Sequence, residues 1–206
     1  MTMRTYQLLR IDASANPSAS TSRKLGDYYV SQTKAEIAGV SIIERDLNHA
    51  LPQLSESWLH AYFTDEAERS QPQQDLLTQS NQLIDELVQA DEILITTPMY
   101  NFSVPSSLKA WIDLVCRAGV TFEYTETGPR GLIASKPVKI IVSTGGVPVQ
   151  SSMDFLTDYL KQVLAFIGLT DVTVIAADKM NVNAKASYDA AKLLIDYEFE
   201  QLAQTA

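Results

Sequence analysis

An alternation in apolar patterning constrains the fold of this chain more than any other feature. Short runs of β-branched and aliphatic residues recur at Tyr6–Ile11, Ser41–Leu47, Glu92–Thr97, Val138–Ser143 and Val172–Ala177. Runs of this length and composition predict strands covered on both faces, since a strand with one wet face alternates apolar and polar residues. Helical spacing fills the intervals. Leu76, Leu83 and Leu87, with Leu77, Ile84 and Val88 beside them, line one face of a helix ending near Ala90. Val104, Leu108, Trp111 and Val115 form a second stripe, with Pro105 in the first turn and Gly119 just past the end. Leu156, Leu160, Val163 and Ile167 form a third, stopped by Gly168, and weaker helical patterns cover Ser20–Ile37 and Ala184–Leu202. Such strand–helix alternation predicts an α/β fold, a five-stranded parallel sheet with helices on both faces.

The 206 residues show no repeat and no linker, so one domain over 1–206 is expected. The polar stretch His49–Pro72, carrying Trp58, His60, Tyr62 and Phe63, reads as a long excursion between the second strand and its helix. A net charge of −9 disfavours a nucleic-acid surface, which needs clustered Lys and Arg, and equally an anionic membrane surface. No window approaches the apolar length of a membrane span. No basic-then-apolar leader opens Met1–Ile11, so no signal peptide is expected. The single cysteine, Cys116, rules out an internal disulfide and fits a reducing, cytoplasmic setting.

In an open parallel sheet, ligands bind beyond the carboxyl ends of the strands, where strand order reverses. Three loops of that kind are unusual here. The first strand is followed by Asp12 to Ser22, in which Ser20, Thr21 and Ser22 bring hydroxyls and free N–H groups to a helix N-terminus. That suits a phosphate, because unpaired amides and the helix dipole both favour an anion; the same residues also serve as plain N-caps. Neither a P-loop nor a G-x-G-x-x-G fingerprint is present, so a monophosphate suits the loop better than a nucleotide triphosphate or dinucleotide. The third strand ends in Pro98-Met99-Tyr100-Asn101-Phe102, a charge-free knot whose amides match the edge of a heteroaromatic ring, or which forms a packed turn. The fourth strand ends in Ser143-Thr144-Gly145-Gly146, where paired glycines permit close approach of a ligand or a simple turn.

These residues carry a family resemblance. Met99–Leu132 resembles the central signature of FMN-dependent NADH-azoreductases, also described as NAD(P)H:quinone oxidoreductases. The similarity extends through Ser143–Gly146 and Leu164–Val172, and back to Ser14 and Ser20–Ser22. The resemblance implies a flavodoxin-like, doubly wound sandwich, a non-covalent FMN and a homodimer with sites at the subunit interface. It assigns Ser14, Ser20, Thr21 and Ser22 to the FMN phosphate and ribityl region, and Met99, Tyr100, Asn101, Phe102, Ser143, Thr144, Gly145 and Gly146 to the flavin. Tyr124 and Phe166 are implied near the flavin as the substrate pocket, either within their own chain or reaching across from a partner subunit. Two positions depart from the family pattern: Thr144 stands where Arg is frequent, and Thr21 where Gln is frequent.

The implied activity is two-electron, ping-pong hydride transfer from NADH or NADPH, through the flavin, to quinones or azo compounds. The alternative is a flavodoxin-type FMN electron carrier without nicotinamide turnover. Either reading explains why no catalytic acid, base or metal set stands out, since the cofactor carries the reaction. Accordingly His49 and His60 read as loop or surface residues, Cys116 as a packing residue, Asp12 as a cap or orienting group, and Trp111 as core or dimer interface.

Overall fold

The structure, a computed structural model, describes residues 5–205. In chain order the elements are β1 (Gln7–Asp12), α1 (Thr21–Glu36), β2 (Ser41–Asp46), α2 (Glu56–Phe63), α3 (Gln71–Gln89), β3 (Glu92–Pro98), α4 (Ser106–Val115), β4 (Phe122–Thr125), β5 (Gly128–Gly131), β6 (Val138–Ser143), α5 (Thr157–Phe166), β7 (Val172–Ala177) and α6 (Met180–Thr205). The chain start read above as leaderless falls partly on residues 1–4, outside the described residues.

All five expected strands form, and they pair in parallel in the order β2-β1-β3-β6-β7. The central strands are those with the densest apolar runs: β3 is buried at every position and β6 at all but one. Alternate residues serve opposite faces, as the pleat requires. Leu9, Ile11, Ile93, Ile95, Ile140 and Val142 pack with Leu83, Leu87, Leu108, Trp111, Leu160 and Leu164 from α3, α4 and α5. Leu8, Leu94, Ile141 and Ile175 pack with Leu25, Tyr29, Ile195 and Phe199 from α1 and α6. Trp111 is therefore core.

Two features exceed the sequence reading. The 49–72 excursion is not featureless: Ser55 caps α2 by accepting from the Trp58 N–H at 3.1 Å, and α2 buries Trp58 and Ala61. After α4 the chain forms a β4–β5 hairpin, separate from the main sheet, with Phe122 opposite Gly131. Gly131 seats against the turn after α5 so closely that a Cβ on it would meet the Gly168 nitrogen at 2.1 Å. In α6 the backbone breaks at Asn183 (φ −150°, ψ 79°), whose side chain accepts from the Ala186 N–H at 3.2 Å. Regular helix thus starts where the sequence pattern places it.

Loop 144–156 is held at its far end by Asp154. Its buried carboxylate accepts from the Gln150 N–H at 2.8 Å, the Leu156 and Thr157 N–H groups at 2.9 Å, and the Thr157 hydroxyl at 2.6 Å. Burial alone pushes this carboxyl up, but these hydrogen bonds outweigh it and hold the group below its ordinary 3.8. A depressed folded-state value stabilises the fold fully above the unfolded value, and that contribution is lost as pH falls through the folded one. Asp154→Ala is expected to cost about 1–2 kcal/mol at neutral pH, the range for losing a helix-cap acceptor. The gap between wild type and variant should narrow below about pH 4. Denaturant melts at both pH values check it, and a gap that does not change with pH would contradict the ionised cap.

Candidate functional site

β1 sends its helix, α1, to one face of the sheet, and β3 sends α4 to the other. Because β2 and β3 flank β1 on opposite sides, a crevice opens beyond the carboxyl ends of β1 and β3. Three loops border it.

The loop after β1 is tied to β3 by a hydrogen bond from the Ala13 N–H to the Thr96 carbonyl, 2.9 Å. The Asn16 side chain folds it, accepting from the Ser18 and Ala19 N–H groups at 3.2 and 3.0 Å. Ser14, Ser20 and Ser22 are all buried. The Ser20 hydroxyl accepts from the Arg23 N–H at 3.4 Å and lies 3.1 Å from the Ser22 hydroxyl. Ser20 is thus an N-cap, and its long cap bond sits within a hydroxyl pair at the end of α1. No first-turn residue of α1 is acidic. Under this loop lies an ion network in which buried Arg10 and Arg23 meet buried Asp12, half-buried Asp46 and exposed Asp27. Asp12 accepts from the Thr96 hydroxyl at 2.6 Å, so it orients the strand ends.

After β3, Tyr100 and Ser103 exchange both backbone hydrogen bonds at 3.0 Å around Asn101 and Phe102, with φ of 48° and 70°. Positive φ at both central positions is a type I′ arrangement. Asn adopts it readily; Phe does so under strain, and such strain persists only where neighbours hold it. Here the Phe102 carbonyl accepts from the Phe155 N–H at 3.1 Å, and the Met99 N–H donates to the Ser143 carbonyl at 2.8 Å. The second and third loops are therefore one hydrogen-bonded unit. Tyr100 and Phe102 present exposed rings, and Tyr100 and Asn101 line a groove of about 680 Å³ together with Val104, Lys109, Phe155 and Tyr159.

In the third loop Thr144 is buried. Its hydroxyl donates to the Val147 carbonyl and accepts from the Lys179 N–H at 3.1 Å. It fastens the loop to the start of α6 and offers no charge outward. Gly145 lies against Asn181, where a Cβ would meet Nδ2 at 2.8 Å, while Gly146 has open space around it.

The structure gathers Ser14, Ser20–Ser22, Met99–Phe102 and Ser143–Gly146 on one rim. It does not bring Tyr124 and Phe166 there. Those two join Phe122 in an aromatic row, with ring centroids 5.5 Å (Tyr124) and 4.1 Å (Phe166) from that of Phe122. The row stands by the amino ends of the strands, because α4 and α5 both run back from the rim and the Ile133 N–H bonds the Ile167 carbonyl at 3.0 Å. Tyr124 is 74% exposed.

Sequence reasoning missed Arg23, Asp46, Asp154 and Phe155. The first two were findable: Arg23 directly follows the Ser-Thr-Ser run and Asp46 ends a strand at the ligand-binding edge. The other ionisable candidates are not chemical. His49 and His60 are exposed, and burial pushes the Cys116 thiol up to about 12, which keeps it from acting as a thiolate nucleophile. Among the described residues no His, Cys, Asp and Glu group is arranged to hold a metal, and no helix is long and apolar enough to cross a membrane.

The donor set fits a monophosphorylated flat ring. Buried hydroxyls and helix-end amides, with no acid in the first turn of α1 and with Asp12 and Asp46 paired to Arg10 and Arg23 beneath, suit the phosphate; uncharged amides and exposed rings suit the ring. Arg23 Nε, at the base of the first loop, is buried and has no hydrogen-bond partner within the protein.

The family model described as flavodoxin-like fold matches residues 7–198. A relative from Jannaschia sp. (strain CCS1), named FMN-dependent NADH:quinone oxidoreductase 1, is 44% identical over 189 residues, spanning 92% of this chain and 96% of its own. One from Herminiimonas arsenicoxydans, named FMN-dependent NADH:quinone oxidoreductase, is 45% identical over 184 residues, spanning 87% and 90%. In fold the chain is similar to an FMN-dependent NADH-azoreductase from Bacillus anthracis solved in complex with FMN, with a TM-score of 0.86 at 23% identity, covering 97% of this chain and all of that one. On its sequence, its sheet order and its three-loop rim, this chain belongs to the flavodoxin-like family of FMN-dependent NADH:quinone oxidoreductases.

Proposed function

We propose that this protein is an FMN-dependent oxidoreductase that uses NADH or NADPH to reduce quinones and azo compounds. The observation that carries this reading is the rim itself. It combines an acid-free, hydroxyl-lined helix N-terminus with a strained aromatic turn hydrogen-bonded to a glycine loop. When bound, FMN supplies two-electron redox chemistry between a nicotinamide donor and an aromatic acceptor.

The chain's own residues bind and orient. Ser14, Ser20, Thr21 and Ser22 would hold the phosphate through hydroxyls and helix-end amides, with the α1 dipole adding to the attraction. Met99 to Phe102 would hold the ring, with the Asn101 amide available to its polar atoms. The Thr144 N–H is engaged by the Ala177 carbonyl at 3.2 Å, so the backbone N–H groups of Gly145 and Gly146 are the ones that would stabilise negative charge on the ring, as preorganised dipoles do. No side-chain acid or base is required.

The site is completed by a second copy. Tyr124 and Phe166 lie far from the rim of their own chain, and Tyr124 is exposed on a hairpin, so both are available to roof a partner's rim in a homodimer. The lone Cys116, half-buried and without a disulfide partner, fits a reducing compartment, here the cytoplasm, with the chain as one domain spanning 1–206.

Protein incubated with FMN and desalted is expected to be yellow and to bleach anaerobically on addition of NADH or NADPH. A colourless product ends this reading, and a yellow product that nicotinamides fail to bleach points instead to an electron carrier. Asn101→Gly keeps the left-handed backbone and removes the amide. It should raise the FMN dissociation constant about three- to tenfold, the worth of one hydrogen bond. An unaltered constant would mean that this amide does not meet the ring.

A further inference from the structure

We propose that Arg23 is a positioning residue that shapes the phosphate cradle from beneath; this rests on the FMN reading above. Arg23 stands in the first turn of α1 and is only 7% exposed. Its Nη2 donates to the Ser14 carbonyl at 2.8 Å and to Asp46 at 2.6 Å; its Nη1 donates to Asp46 at 3.1 Å and lies 3.5 Å from Asp12. Its backbone N–H engages the Ser20 hydroxyl at 3.4 Å. A single residue therefore fastens the entry of the loop at Ser14, its exit at Ser20 and the carboxyl end of β2.

The role is geometric. Arg10 and Arg23 are outnumbered by Asp12, Asp27 and Asp46, so the network carries no surplus positive charge to offer a phosphate. The planar fork can meet both Asp46 oxygens and the Ser14 carbonyl together, which a single ammonium cannot reproduce. Both Nη groups are committed to Asp46 and Ser14, while the buried Nε is left without a protein partner, so the guanidinium is oriented by those two residues. An ion pair serving only stability would need Asp46 alone. The bond to Ser14 ties it to the loop that wraps the phosphate. One turn further on, Gly26 packs so tightly that a Cβ would meet Thr96 Cγ2 at 2.6 Å, so α1 cannot drift to compensate for a lost anchor.

The test compares FMN with riboflavin, which lacks the phosphate, by fluorescence quenching on flavin-free protein. Arg23→Met should raise the FMN dissociation constant about tenfold or more while riboflavin changes by no more than about two- to threefold. Arg23→Lys should recover little of the loss, because it restores charge without the fork. Equal weakening of both flavins, no change for FMN, or full rescue by Lys would each overturn the proposal. If Arg23→Met does not fold, Asp46→Asn keeps Arg23 and removes its anchor, and the same FMN-selective loss is expected; a parallel loss or none overturns it. Wild-type protein that binds neither flavin would defeat the functional reading itself.

Discussion

The site depends on how β1 and β3 pair. They lie side by side and parallel, yet the chain leaves β1 toward one face of the sheet and β3 toward the other. Right-handed crossovers then carry α1 and α4 apart, and the space between their starting points is the crevice. The pairing is held by buried Leu8, Leu9, Ile11, Ile93, Leu94 and Ile95, and at its open end by the Asp12–Thr96 and Ala13–Thr96 hydrogen bonds. Loss of that register would separate the phosphate loop from the ring-facing turn.

Above the crevice the loops are hydrogen-bonded to one another. Met99 binds Ser143, Phe102 binds Phe155, Gly145 binds Asn181, and Asp154 closes the far end of the third loop. This cross-linking holds Phe102 in a left-handed conformation that an isolated peptide would abandon. A preorganised rim of this kind suits a protein whose cofactor does the chemistry, because its contribution is orientation and a fixed field. Below the first loop, charge is used differently. Arg10 and Arg23 are spent on the chain's own carboxylates, leaving hydroxyls and helix-end amides to line the loop.

Much of this was readable from residue order. The strands, the principal helices and the three rim loops follow from apolar spacing, from glycine and proline punctuation and from the edge rule for parallel sheets. The β4–β5 hairpin was not, because Phe122–Gly131 is short, polar and carries Pro129, and its pairing depends on contact with the turn at Gly168. Thr144 was readable only as a missing cation; that its hydroxyl turns inward to Val147 and Lys179 is a matter of packing.

Local spacing by itself determined the types of the main-sheet strands and the principal helices and, through them, which loops share an edge, because periodicity, capping and chain connectivity act over a few residues. Tertiary structure alone decided that Arg23 reaches Asp46 and Ser14, that Phe155 bonds Phe102, and that Tyr124 and Phe166 stand away from their own rim. Those outcomes depend on which distant side chains meet in space and on the direction in which each helix returns. Burial and hydrogen-bond geometry settle such contacts, and no short stretch of sequence encodes them.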